Sequence, residues 1–319
     1  MNPVLTRMNA VLARISVVHR CILALALALA GAGSVHAQQS PPDFSKVEIK
    51  TTQITSDFYT LEGLGGTVSV LTGPDGILLV DSQFAPLTDK LVAAIKKISS
   101  KPIRFLINTH LHGDHTGGNE NFAKLGTVIF SRDQLRERLE RPANKADGTP
   151  GKPAAALALP VVTYDGPVSI HLDGEDVRLI PIRNAHTDGD TLISFTNHDI
   201  LAVGDYYRGV GYPYVDLKSG GSLAGILDGL GATIGRAGPN TKIIPGHGPV
   251  AGRNAVIAQR DLILAVRDKV AALLAQNKSL EEIIAARPTA EFDTQTPGGA
   301  QTADEFVTWM YEALRHDAR

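Results

Sequence analysis

Apolar positions recur along the chain at two different spacings. Between 69 and 108, short β-rich runs dominate, and they are split by turn residues. Ser69 to Leu71, Ile77 to Val80 and Ile103 to Asn108 read as strands, with Gly73-Pro74-Asp75-Gly76 as the turn between the first two. Leu87 to Ile98 carries apolar residues at 87, 91, 92, 95 and 98, the spacing of a half-buried helix. Asn119 to Lys124 and Arg132 to Leu139 are shorter helix candidates. A second batch of strands is expected at 168–172, 177–182, 191–195, 200–203 and 241–244. Helices then close the chain from about residue 252. Ala255 to Gln276 is amphipathic. Ser279 with Glu282 and Thr302 with Glu305 each match a capping box, in which an N-cap hydroxyl and an acid three residues on satisfy each other's backbone N–H groups. Phe306, Trp309 and Met310 read as the buried face of the last helix. The Pro/Ala/Gly-rich stretch 141–160 reads as a mobile surface loop. Two successive β-then-α batches without a short repeat predict one layered α/β domain over residues 38–319.

The first 37 residues follow a different logic. Arg7, Arg14 and Arg20 precede the apolar run Cys21 to Gly33, no acid occurs before Asp43, and Val35-His36-Ala37 is a small-x-small pattern. These features read as a secretory signal peptide cut after Ala37; an uncleaved anchor helix would want a longer run, about 20 apolar residues. After cleavage 28 basic residues face 33 acidic ones, a formal charge of −5, and the single cysteine is gone. A thiol-free chain suits an oxidising compartment, so the expected location is secreted, in the periplasm of a Gram-negative host. The acidic balance gives no footing for nucleic acid as a partner. With 43% apolar and 20% charged residues the whole chain has an ordinary globular composition, which excludes disorder and a polytopic membrane protein.

The candidate chemistry is concentrated in histidine. Three of the eight histidines outside the leader fall within six residues, in Thr109-His110-Leu111-His112-Gly113-Asp114-His115, directly after the β run ending at Asn108. Positions i and i+2 at a strand end point to one side, so His110 and His112 can address one ion. The turn at Gly113 lets Asp114 and His115 address a second. Imidazole and carboxylate without thiolate suit zinc, with iron or manganese as alternatives. His186, Asp205 and His247 lie in loops or at strand ends downstream and can complete two ligand sets. His171, His198 and His316 have no such companions and read as structural or surface residues.

With its H-x-H-x-D-H run at 110–115, His186, Asp205 and the Pro245-Gly246-His247-Gly248 segment, the chain resembles the metallo-β-lactamase superfamily from about Val47 to Val250. That resemblance implies an αββα sandwich with two metal ions at one edge between the sheets. One ion would be held by His110, His112 and His186, the other by Asp114, His115 and His247, with Asp205 bridging. It implies a dinuclear-zinc hydrolase in which metal-bound hydroxide attacks the carbonyl of a small lactam, lactone or ester, Asp114 and Asp205 taking catalytic parts. Broad-spectrum β-lactamases of the family carry cysteine where this chain has Asp205. The aspartate instead matches the thioesterase and lactonase branches, which makes a thioesterase or acyl-homoserine-lactone lactonase the alternative. A non-catalytic periplasmic metal-binding protein is a further one. Asp81 would hold a ligand imidazole or cap a strand-end turn. Arg208 would grip a substrate carboxylate or be a solvated arginine. Tyr206, Tyr207, Tyr212 and Tyr214 would line a pocket or pack the sheet edge, and Gly63-Leu64-Gly65-Gly66 would form a flexible hairpin over the site.

Overall fold

In the computed structural model, residues 42–144, 147–296, 298 and 302–317 are described. The expected leader lies outside them, as does the side chain of His316. Strands β1 (Lys50–Gln53), β2 (Phe58–Glu62), β3 (Val68–Gly73) and β4 (Gly76–Val80) form an antiparallel meander. Strands β5 (Ile103–Ile107), β6 (Val128–Arg132) and β7 (Val162–Tyr164) extend it in parallel into one sheet ordered β1 through β7. Parallel pairing needs crossovers. Helices α1 (Thr88–Ile98), α2 (Gly113–Thr116), α3 (Asn119–Lys124) and α4 (Asp133–Glu140) supply them. The second sheet runs β12-β11-β10-β9-β8, built from β8 (Val168–Leu172), β9 (Glu175–Pro181), β10 (Thr191–Phe195), β11 (Ile200–Gly204) and β12 (Lys242–Pro245). Only the β11–β12 pair is parallel, and α5 (Leu223–Arg236) makes its crossover. Helices α6 (Arg253–Ala275), α7 (Leu280–Ala285) and α8 (Ala303–Asp317) end the chain.

Three separate apolar clusters define the layers. Strand β4 is buried throughout, and its period of two divides its side chains between clusters. Leu78 and Val80 join Phe58, Ile193 and Ala202 between the sheets, while Ile77 and Leu79 join Leu91, Ile95 and Phe122 under α1 and α3. On the other side Leu201 and Val203 of β11 meet α5, α6 and α8 through Ile226, Val266 and Met310. Helix, sheet, sheet, helix is therefore the observed order, the αββα sandwich expected of the resemblance.

Most elements lie within two residues of their expected bounds, and the Ser279–Glu282 box forms as a reciprocal pair. Thr302 and Glu305 also bond reciprocally. One boundary is corrected: Arg132, expected to open a helix, ends β6. Its guanidinium is buried and donates to the carbonyls of Ile182 and Asp188, which pulls the residue into the sheet. Helix α5 had no expectation. Four glycines weaken its intrinsic propensity, yet two of them meet close neighbours: a Cβ on Gly225 would overlap the Asn184 carbonyl, and one on Gly229 would crowd Ile182 and Tyr206. Residues 141–160 have little regular structure among those described, a short 3-10 turn at Ala156–Ala158 excepted. No helix among the described residues is long and apolar enough to cross a membrane.

Candidate metal centre

Strands β4, β5, β11 and β12 all end at the same edge of the sandwich, and the chemistry sits on their ends. Asp81 follows β4; Asn108 through His115 follow β5; Asp205 follows β11; Gly246 and His247 follow β12. His186 comes from the β9–β10 connection, fixed by Asp190, which accepts from the Thr187 N–H at 2.8 Å and its hydroxyl at 2.7 Å. Burial pushes the Asp190 carboxyl up to about 8. The β11–β12 ladder shifts register at Gly204, a bulge that turns the chain so that Asp205 faces His115.

The expected ligands converge. Ligand atoms of His110, His112 and His186 lie within 4.8 Å of one another, as do those of Asp114, His115 and His247. A third set, His110, His115 and Asp205, joins the first two. Asp205 lies 3.4 Å from both His115 Nε2 and His247 Nε2, and 3.9 Å from His186 Nε2.

Outer partners fix which nitrogen of each ring faces inward. His115 Nδ1 donates to Asp81 Oδ2 at 2.8 Å, and His186 Nδ1 donates to the Tyr214 carbonyl at 2.8 Å. Thr109 Oγ1 gives its only proton to Asp81 at 2.7 Å, so it accepts from His110 Nδ1 at 3.0 Å. His112 is reversed: its Nε2 donates to Asp216 at 3.1 Å and its Nδ1 faces His186 Nε2 at 3.0 Å. These networks assign the tautomers and leave lone pairs pointing at one another. Facing lone pairs repel unless an electrophile lies between them. Two fully buried atoms, His110 Nε2 and Asp205 Oδ1, have no hydrogen-bond partner. Orphaned acceptors aimed into a ring of imidazoles are what a cation site requires, so the residues present fit divalent metal ions.

Electrostatics follow from the same packing. Burial and the neighbouring imidazoles hold His110 well below the ordinary histidine range. Burial brings His186 down to about 4. Burial opposes charge on His115 too, but the carboxylates of Asp81, Asp205 and Asp114 outweigh it and raise that ring to about 9. Asp114 is held below the usual carboxylate range, burial being outweighed by the His247 contact at 3.1 Å and by His115.

Asp81 holds His115 and also accepts from the Thr109 N–H at 2.7 Å, a contact to the end of β5 and not a cap of its own strand-end turn. It does so from the left-handed region, φ 67°, which aspartate tolerates better than most residues. The glycine segment 63–66 lies against the centre. Gln83 pins it from both sides, accepting from Gly65 N and donating to the Gly66 carbonyl. A side chain on Gly66 would run into the His115 ring, and one on Gly246 into Asp205.

The expected substrate residues are placed differently. Tyr206 is fully buried and its hydroxyl bonds Thr233 on α5, so it is a core residue. Tyr207 is buried as well and faces a cavity against α6 that none of the ligand histidines lines. Arg208 is not a solvated surface arginine: its Nη1 donates to Asp205 Oδ2 at 2.8 Å, and its side chain is 12% exposed. Of the aromatic stretch, Tyr214 is the residue at the centre, stacked on His112 with centroids 6.4 Å apart and edge-on to His186 at 5.6 Å. Asp216, its neighbour but one, had no expectation. It lies 104 positions from His112, and no local pattern marks it.

Fold and site together are those of an αββα sandwich with a candidate metal centre at one edge. The sequence model of the metallo-beta-lactamase superfamily matches residues 61–247, and the chain belongs to that superfamily. Among curated proteins, a linear primary-alkylsulfatase of Pseudomonas sp. (strain ATCC 19151) is 31% identical over 77 residues, 22% of this chain and 15% of that protein. The alpha subunit of a 2,4-dinitroanisole O-demethylase from Nocardioides sp. (strain JS1661) is 27% identical over 148 residues, 45% of this chain and 42% of that one. The chain thus spans less than half of either relative. Among solved structures, a metallo-beta-lactamase from Pontibacter korlensis superposes with a TM-score of 0.56 at 17% identity, over 68% of this chain and 99% of its own. The sec-alkylsulfatase Pisa1 from Pseudomonas sp. gives 0.62 at 15% identity, over 83% of this chain and 50% of its own. These two likenesses are of fold.

Proposed function

We propose that residues 38–319 form a single exported hydrolase domain that uses two zinc ions to cleave a small lactam, lactone or ester. Two ligand sets sharing one edge, with His110 Nε2 and Asp205 Oδ1 left unpaired inside them, are the observation that carries this reading. Iron or manganese suits the same donors, since every ligand is imidazole or carboxylate. His110, His112 and His186 would hold one ion; Asp114, His115 and His247 the other; Asp205 reaches both. Such ions supply Lewis acidity toward a carbonyl oxygen and lower the pKa of water toward ~7.

The chain's own residues perform the rest. Asp81, Asp216, Thr109 and the Tyr214 carbonyl keep four imidazoles in the tautomer that presents a lone pair inward. Asp114 is partly open to solvent and lies beside His247, placed to orient a water and accept its proton. Arg208 steadies Asp205 from outside. Export is supported by the basic, apolar and small-x-small features of residues 1–37.

A second reading, thioester or homoserine-lactone hydrolysis, is favoured by Asp205 standing where a thiolate would serve broad-spectrum β-lactamases. The sulfatase and demethylase relatives add sulfate esters and aryl ethers to the substrates worth testing. The test is one panel. The chain from residue 38 is stripped of metal, reconstituted with zinc, and assayed on nitrocefin, an acyl-homoserine lactone, a thioester and a nitrophenyl sulfate. Zinc-dependent turnover of any member supports hydrolysis and ranks the substrates. Activity that survives complete metal removal overturns the mechanism. Stoichiometric metal binding with no turnover favours the non-catalytic metal-binding alternative.

A further inference from the structure

Asp205 reaches both candidate ligand sets, so the angle of its carboxylate matters to each. The side chain does not fix that angle by itself, because the last torsion of an aspartate has only a broad preference. Among the described residues its carboxylate accepts one hydrogen bond, from Arg208 Nη1 to Oδ2 at 2.8 Å. That bond occupies Oδ2 and leaves Oδ1 unpaired, 3.4 Å from His115 Nε2.

Arg208 needs support of its own. Several staggered torsions separate its backbone from its guanidinium. Its Nε is buried and makes no hydrogen bond, so no second bond of that kind locks the fork in place. The backbone is what is fixed. Gln259, half-buried on α6, grips it with both ends of its amide. Oε1 accepts from the Arg208 N–H at 3.3 Å, and Nε2 donates to the Arg208 carbonyl at 2.7 Å. Only one orientation of the amide satisfies both groups. The next residue is tied to the centre, since the Gly209 N–H donates to the His247 carbonyl at 2.8 Å. A Cβ on Gly248 would overlap the Gly209 backbone. The turn at 208–209 is thus held both by α6 and by a ligand-bearing loop. Helix α6 begins at Arg253, beyond the segment 61–247 that defines the family likeness, so that likeness assigns Gln259 nothing.

We propose that Gln259 and Arg208 are positioning residues for the metal centre. The amide on α6 sets the backbone of Arg208, and Arg208 sets the angle at which Asp205 meets the two ligand sets. The inference rests on the metal-dependent reading above and brings a helix outside the matched segment into the build of the centre. A guanidinium supplies direction as well as charge, and the two act oppositely here. As a bare charge Arg208 would repel the cations, and its removal would tighten both. As a directed donor it holds the carboxylate still, and its removal weakens them.

The test is a cobalt(II) titration of the metal-free protein. Cobalt(II) takes the same imidazole and carboxylate donors, and its visible absorption reports their geometry without any turnover. Arg208→Met is expected to weaken at least one equivalent by ~10–100-fold, the range of an outer partner, and to shift its bands. Gln259→Met changes no charge and keeps a good helix former on α6. It is expected to shift the same bands in the same sense, with a loss of roughly tenfold, the low end of that range. In the Arg208→Met background Gln259→Met is expected to change the cobalt signal no further, because its path runs through the guanidinium. Unaltered bands and affinity in Gln259→Met overturn the proposal, and that variant decides it even where Arg208→Met does not fold. Tighter cobalt in Arg208→Met overturns it too. So does a full Gln259→Met effect in the double variant, which would run through His247 instead. The hydrolysis panel keeps the two readings apart. Two bound cobalt ions and the expected shifts without turnover of any substrate remove the hydrolase and keep the positioning role. Turnover with bands indifferent to Gln259→Met keeps the hydrolase and removes the positioning role. No cobalt binding at all overturns both.

Discussion

Two histidine–carboxylate clusters lie at opposite ends of β11, and they have been built for different ends. At its start, His198 sits between Glu175 and Asp57, with Nδ1 on Glu175 and Nε2 2.8 Å from Asp57. Both ring nitrogens are satisfied, and the cluster clasps a turn of the first sheet to the second. At its end, His115 sits between Asp81 and Asp205, but only Nδ1 has a dedicated partner. Its Nε2 faces a concentration of other ligand atoms, two of which are orphaned. The same residue types thus make a structural clasp where hydrogen bonding is complete and a candidate reactive centre where it is deliberately incomplete. Unsatisfied acceptors within a ring of imidazoles, not the presence of histidine alone, mark the candidate site.

Substitutions at the two ends should separate in kind and in size. Asp205→Ala should have the largest effect. Loss of the residue that reaches both ligand sets is expected to remove one equivalent of zinc and to lower turnover by more than the ~10–100-fold typical of an outer partner. Metal analysis alongside the hydrolysis panel checks this, and an unchanged rate would show that Asp205 is not a ligand. Asp216→Asn, which weakens only the hold on His112, should fall within that ~10–100-fold range in zinc affinity or activity. Competition with a chromophoric chelator measures it.

At the other end, His198→Gln should leave zinc content and kcat/KM intact and alter stability alone. The carboxylates of Glu175 and Asp57 outweigh burial and raise the His198 pKa above 6.5. Its charged form is therefore favoured in the folded state. The stabilisation is full below the unfolded value near 6.5 and is lost as pH rises through the raised folded one. Thermal melts should accordingly show a lower Tm for the variant at pH 6, and a smaller difference at pH 9. Tyr206→Phe is the smallest change. It removes the bond to Thr233, about 0.5–1.5 kcal/mol of stability, with kcat/KM unchanged. A clear change in KM would return Tyr206 to the substrate site.

Most strands and helices were legible because each follows a local rule. The alternating faces of β4 and β11 and the helical spacing in α1 depend only on neighbours a few positions away. The 110–115 run was legible for the same reason. Helix α5 was not, because its four glycines contradict helix propensity, and only the approach of Asn184 to Gly225 and of Tyr206 to Gly229 accounts for two of them. Nor was the difference between Tyr206, turned into the core, and Tyr214, turned to His112 and His186. Eight positions separate them in one aromatic stretch, and only the packing of Tyr206 against Thr233 of α5 and of Tyr214 against His112 assigns each its side.

The sequence by itself determined the donor set and the layering, since residue type and hydrophobic period are properties of the chain alone. The single cysteine, Cys21, lies outside the segment that the family model matches, and none of the converging donors is a thiolate. The tertiary structure alone decided which nitrogen of each imidazole faces inward, that Arg208 donates to Asp205, and that Asp216 reaches His112. Those decisions rest on partners up to about a hundred residues apart. Only the closing of two sheets against each other brings such partners within hydrogen-bonding distance.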